Sequence, residues 1–145
     1  MAREAALFHS GSPILVMPET WNGAIGETVV IAWKDSVEAV RAVVAAQSFL
    51  REAKRIKLVS VVERSKEPSA AGMTDYLTKS GLEVEFVELA GNTGDAGPIL
   101  LEAATGRDVL VVMGAYGHWR WREFVFGGAT DYVLRNTPVP ALMMH

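Results

Sequence analysis

The sequence contains no cysteine, so no disulfide can staple the chain and no thiolate can hold zinc or an iron–sulfur cluster. A cysteine-free chain suits a reducing compartment, and a cytoplasmic location is the expectation that follows. No apolar run approaches the roughly 18 residues of a membrane-spanning helix, so no membrane segment is expected. The opening Met1-Ala2-Arg3-Glu4-Ala5-Ala6 has no basic stretch followed by an apolar one, so no secretory signal is expected. An excess of positive charge is missing too. Lys and Arg number 14 against 17 Asp and Glu, for a formal net charge of −3. Nucleic-acid binders usually carry a basic face, and nucleic acid is therefore not an expected partner. The three histidines, His9, His118 and His145, are scattered with no second ligand at helical spacing, which speaks against a metal site. There is no Gly-x4-Gly-Lys-[Ser/Thr] loop of the P-loop ATPases, and the residue order motivates no Ser-His-Asp triad.

What is present is a globular composition. Half of the 145 residues are apolar and about a fifth are charged, enough for one domain with a proper core. From residue 28 onward, short apolar runs alternate with helical ones. Thr28-Val29-Val30-Ile31-Ala32-Trp33 is β-branched and apolar on both faces, as a buried parallel strand should be. Ser36 stands at an N-cap position and opens a helix predicted to about Lys54, with Val40, Val43, Val44 and Leu50 on one face. Strands are predicted at Ile56 to Val62, Leu82 to Leu89, Asp108 to Met113 and Pro140 to Met144. The Leu82 to Leu89 run alternates with Glu83, Glu85 and Glu88, which predicts a wet face or an edge position. Helices are predicted from Ser69 to Lys79, stopped by Gly81, from Pro98 to about Thr105, and from Gly127 to Asn136. Gly91 to Gly97 reads as a plain loop. Strands alternating with helices imply βαβ crossovers, a parallel sheet and helices on both faces.

The first 27 residues stand apart. At an offset of 127, Ser12-Pro13-Ile14-Leu15-Val16-Met17 meets Val139-Pro140-Ala141-Leu142-Met143-Met144, and at an offset of 126 Phe8-His9-Ser10 meets Leu134-Arg135-Asn136. Each reads as a helix end, a Pro-containing link and an apolar strand. The expectation is that residues 1–18 resemble the tail of a preceding similar domain, that Glu19 to Glu27 link it on, and that 28–145 is the domain proper. In that case Ile14 to Met17 must pair with an edge of their own sheet or of a neighbouring copy.

The sharpest chemical feature follows the Asp108–Met113 strand. It reads Gly114-Ala115-Tyr116-Gly117, nine residues to Phe126, then Gly127-Gly128-Ala129-Thr130 at the start of a helix. Glycines let backbone N–H groups approach a ligand, and a helix N-terminus offers unpaired N–H groups and a favourable dipole. Ligands of open α/β sheets also sit outside strand C-termini. A phosphate site and a set of glycines that merely turn the chain fit this spacing equally well. Within the spacer, His118-Trp119-Arg120-Trp121-Arg122 alternates cation and aromatic and reads as a surface lid or as a clamp for a base or phosphate.

The Gly-x2-Gly-x9-Gly pattern behind an Asp-Leu-Ile-Val-Met-Gly-like strand resembles the nucleotide-binding motif of universal stress proteins. Gly114, Gly117 and Gly127 fall at that family's spacing. Asp131 to Leu142 resembles its usual ending, and Val29 to Ser36 its first strand and turn. The resemblance covers residues 28–145. It implies a doubly wound, open parallel five-stranded α/β sheet of order 3-2-1-4-5, Rossmann-like, with helices on both faces and usually dimeric. It implies adenine between Ala32, Trp33, Lys34 and about Val61, with phosphates over Gly114, Gly117, His118, Gly127, Gly128 and Ala129, and Met113 among the nucleotide-binding residues. Thr130 would supply a hydroxyl. The expected ligand is ATP or another adenine nucleotide, Mg²⁺ accompanying the phosphates, in a regulatory stress role. Dedicated catalysis is not expected, slow ATP hydrolysis being the open exception. Two departures stand out. ATP-binding members usually carry Asp or Asn where this chain has Lys34, and Ser or Thr where it has Gly128. The competing expectation is a module that has lost nucleotide binding and joins two copies, as a homodimer, through the C-terminal strand edge.

Overall fold

The computed structural model describes residues 9–62, 71–115 and 128–145. Six strands form one sheet: β1 (Ile14–Val16), β2 (Thr28–Ala32), β3 (Arg55–Val62), β4 (Val84–Ala90), β5 (Val109–Gly114) and β6 (Ala141–Met144). Their order across the sheet is β1-β6-β5-β2-β3-β4. Strands β2 to β6 are all parallel to their neighbours and form the expected 3-2-1-4-5 arrangement. The sheet is nonetheless mixed and six-stranded, because β1 adds to β6 in the antiparallel sense. The β6 edge, expected to join two copies, is thus already paired within the chain.

β2 and β5 are central and buried on both faces, as their unbroken apolar runs demand. β4 lies at the far edge, and its alternating burial follows its glutamates. On one face of the sheet, α4 (Ala96–Ala103) and α5 (Gly128–Asn136) supply Leu100, Leu101, Val133 and Leu134. These pack with Val16, Val30, Val111, Met113 and Met143. On the other face, α1 (Val37–Ala45), α2 (Gln47–Glu52) and α3 (Ala71–Lys79) bring Ala39, Val43, Leu50, Met73 and Leu77 against Val29, Ile31, Leu110, Val112 and Leu142.

Local signals set the helix ends. Ser36 Oγ accepts the Ala39 N–H at 3.2 Å, so α1 starts at its expected cap. Gly81 ends α3 at φ +84. Its N–H reaches the Thr78 carbonyl and the Leu82 N–H reaches that of Leu77, the paired bonds of a glycine C-terminal motif. Two expectations need correction. The single helix predicted from Ser36 to Lys54 breaks at Ala46, which is fully buried with φ −89 and ψ 6. Its buried face is Ala39, Ala42, Val43, Ala46 and Leu50, while Val40 and Val44 are exposed. Alanines let the helix lie close to the sheet, and the bulkier valines turn outward. Likewise α4 starts at Ala96, behind a 3-10 turn at Thr93–Asp95, so Gly97 is helical. It is buried because a Cβ there would lie 2.7 Å from Tyr132 Cβ of α5.

Candidate functional site

The strand order reverses between β2 and β5. From β2 the chain builds outward through β3 to β4, and from β5 it builds the other way to β6. In an open α/β sheet the crevice outside the strand C-termini at such a switch point is where ligands bind. Ala32 and Met113 face each other across this point, so the two motifs singled out from the sequence meet there. The N-terminus of α1 follows the end of β2 on one face of the sheet, and the N-terminus of α5 opens on the other. Each contributes unpaired backbone N–H groups and the positive end of a helix dipole.

Ala32 and Ala129 are half-buried against the cluster under α4 and α5, and Met113 belongs to it. Val61, half-buried, lies two residues beyond Val59 of the same cluster and so shares its face of β3. It pairs with Leu89. Gly91 crowds it, since a Cβ there would lie 3.2 Å from Val61 Cγ1. Thr130 is buried on the first turn of α5. Gly128 opens α5 at φ +48, and a Cβ built on it would meet nothing within 4 Å among the described residues.

Three residues take roles that the sequence did not indicate. Trp33 is only 6% exposed and its indole belongs to the cluster under α1 to α3, on the opposite face from Ala32. Its backbone carries the local order. The Trp33 N–H donates to the Val59 carbonyl at 2.7 Å, and Ser60 Oγ donates to the Trp33 carbonyl at 3.3 Å. The exit of β2 is thereby tied to β3, leaving exposed Lys34 at the lip. Gly114 is the second case. A Cβ on it would stand 2.5 Å from Ala39 N and 2.6 Å from Glu38 C, so its missing side chain is required by the first turn of α1. His145 is the third. Its Nδ1 lies 2.9 Å from the Ala115 carbonyl, which can only accept, so the ring donates. The Ala115 N–H donates to the Met144 carbonyl at 2.8 Å. The exit of β5 is thus moored to the C-terminal residues. No spacing signal marked His145, because its partner is a backbone carbonyl distant in sequence.

Gly117, His118 and Gly127, with the whole His118–Arg122 segment, lie outside the described residues. Among the described residues no group of three or more His, Asp or Glu side chains could hold a metal ion, and no helix is long and apolar enough to cross a membrane. A shallow groove of about 210 Å³, lined by Val16, Met17, Leu134, Arg135 and Thr137, sits at the C-terminal end of α5, away from Gly128.

The profile of the universal stress protein family matches residues 27–145. A universal stress protein of Synechocystis sp. is 28% identical over 134 residues, which cover 90% of this chain and 46% of that protein. A universal stress protein structure from Archaeoglobus fulgidus superposes with a TM-score of 0.73 at 20% identity, covering 97% of this chain and 52% of that one. The chain therefore spans about half the length of these two relatives. The universal stress protein UspA from Lactobacillus plantarum superposes with a TM-score of 0.59 at 15% identity, covering 84% of this chain and 99% of that one. At these identities the structural matches speak for the fold.

Proposed function

The chain belongs to the universal stress protein family, and from that premise we propose that it binds ATP or a related adenine nucleotide in a regulatory stress-response role. The observation that carries this reading is the start of α5. Gly128 stands there at φ +48 with no described residue within 4 Å of where a Cβ would lie, and it follows the strand that meets β2 at the switch point. Phosphates would take the N–H groups of the Gly128–Thr130 turn, and Gly117, His118 and Gly127 of the family motif would line the same approach. Thr130 would offer its hydroxyl from the first turn of α5. Adenine would lie toward Ala32, Val61 and Met113. Trp33 contributes its backbone, since its indole is buried on the other face. Lys34, exposed at the lip, would bring a positive charge toward ribose or phosphate. Mg²⁺ would travel with the phosphates.

Catalysis is not part of the proposal. Among the described residues no group of three or more His, Asp or Glu side chains could hold a metal ion. A cytoplasmic location fits the absence of cysteine. The competing reading, a homodimerisation module acting through the β6 edge, meets the obstacle that β1 already occupies that edge.

The test is extraction of nucleotide from the purified chain, followed by titration with ATP, ADP and AMP. Co-purified adenine nucleotide, or binding abolished by Gly127→Arg, supports the proposal. An empty protein that fails to bind at millimolar ATP refutes it.

A further inference from the structure

β4 ends the sheet on the side away from β6, and among the described residues its outer edge has no strand partner. One bond sets the direction of its backbone groups. The Gly91 N–H donates to the Val62 carbonyl at 3.1 Å, so Gly91 turns its peptide groups toward β3. Successive residues of a strand turn theirs to alternate sides. Glu85, Val87 and Leu89 therefore bond β3, while Val84, Phe86, Glu88 and Ala90 present N–H and C=O groups outward.

Of the devices that blunt an exposed edge, β4 uses charge alone. Its pairing with β3 runs from Val84 to Ala90 without a bulge. It contains no proline, and at seven residues it is not short. The charge is of one sign. Glu83, Glu85 and Glu88 are exposed, and none of the three forms an ion pair among the described residues, although Lys57 stands beside Glu85 in register. Between the glutamates the strand is apolar and half covered. Val87 and Leu89 pack against the cluster under α4 and α5, Val84 and Phe86 against the cluster under α1 to α3, and all four stay half-buried. Such an edge repels another acidic strand and suits a basic one, with apolar contacts left to make on both faces.

We infer that the β4 edge is a docking site for an extended basic segment of another protein, which adds to the sheet as one more strand. Main-chain bonds to Phe86 and Glu88 hold it. Antiparallel pairing, the stronger sense, fixes its pattern. Glu88 points to one face of the sheet, Glu85 and Glu83 to the other. Cations spaced by three residues and then by two meet them in turn, so that Lys-Val-Val-Lys-Val-Lys runs opposite Glu88 to Glu83. A second copy of this chain is a poorer occupant, because two β4 edges would crowd their glutamates along one seam. β3 separates this edge from the switch point, and the inference does not rest on nucleotide binding.

The test is a titration of the full chain with the capped peptide Lys-Val-Val-Lys-Val-Lys, followed by backbone amide NMR. The largest shifts are expected at Phe86 and Glu88, together with slower exchange of their amides. A peptide methylated on the backbone nitrogens of its first, third and fifth residues keeps its charge but cannot donate to β4, and it is expected not to bind. Glu85→Lys/Glu88→Lys changes two exposed side chains and is expected to weaken the original peptide about tenfold, the scale of two cross-strand charge pairs. The same variant is expected to bind Glu-Val-Val-Glu-Val-Lys more tightly than the wild-type chain does. Should the charge reversal unfold the chain beside Lys57, Glu85→Gln/Glu88→Gln replaces it and is expected to weaken the peptide and reduce its dependence on salt. Three results would overturn the inference: unmoved Phe86 and Glu88 amides at millimolar peptide, equal binding by the methylated peptide, or equal binding of the original peptide by the folded variant.

Discussion

Gly114 falls at the family's glycine spacing and Gly128 departs from the family's usual residue, and the structure gives the two positions different physical settings. At Gly114 the obstacle to a side chain is α1, whose backbone at Glu38 and Ala39 would lie within 2.6 Å of a Cβ. Gly114→Ala is accordingly expected to destabilise the fold by about 1–3 kcal/mol, the usual cost of overpacking, and to appear as a lower denaturation midpoint. An unchanged midpoint would mean that α1 yields freely. At Gly128 no described residue stands within 4 Å of a Cβ, so among the described residues a side chain meets only the strain of a left-handed backbone, about 1–2 kcal/mol. Gly128→Glu is expected to keep the fold while costing ATP affinity at least about tenfold, because it sets a negative charge where phosphate would lie. Lys34 is the third informative position, exposed at the end of β2. If its ammonium meets phosphate, Lys34→Ala should weaken ATP by roughly tenfold, on the order of one charge-assisted hydrogen bond, and AMP by less. Equal loss for both nucleotides would place the lysine at the ribose or base instead.

At the scale of elements, caps and breaks decide where each helix points. The Ser36 hydroxyl holds the first turn of α1, the same turn that presses on Gly114. Ser36→Ala is expected to cost about 1 kcal/mol and, in a chain of this size, to lower the melting temperature by roughly 2–4 °C. A calorimetric scan with no shift would mean that the tertiary contact alone fixes that turn. Much of this was legible in the sequence. Ser36, Gly81 and the β-branched runs marked the ends of elements because their chemistry is local. The break at Ala46 was not legible, since every residue from Val37 to Glu52 tolerates a helix and only packing against the sheet selects the break. For the same reason the valines of α1 misdirected the choice of face. The alanines were chosen for closeness to the sheet, which hydrophobicity does not record. In the site, the glycine spacing could be read in advance, and the strand order that the resemblance implied sets side by side the two strands on which Ala32 meets Met113. The indole of Trp33 on the far face could not, because that depends on which way one residue turns beyond the end of a strand. Nor could the mooring of Ala115 by His145, which joins backbone to side chain across the sheet.

The whole molecule combines two arrangements that make separate demands. The switch point between β2 and β5 gathers two helix N-termini at one end of the sheet, while β1 closes the β6 edge at its side. The first concerns a ligand and the second the sheet edge, where β1 pairs with β6. The central claim, an adenine nucleotide at the switch point, is tested most directly by backbone amide NMR of the full chain during titration with ATP. The account predicts saturable shifts at Ala32 to Lys34, at Met113 and Gly114, and at Gly128 to Thr130, with Leu15 and Leu142 unmoved. Spectra that stay unchanged at millimolar ATP, or shifts that gather at the β1 and β6 edge, would contradict it.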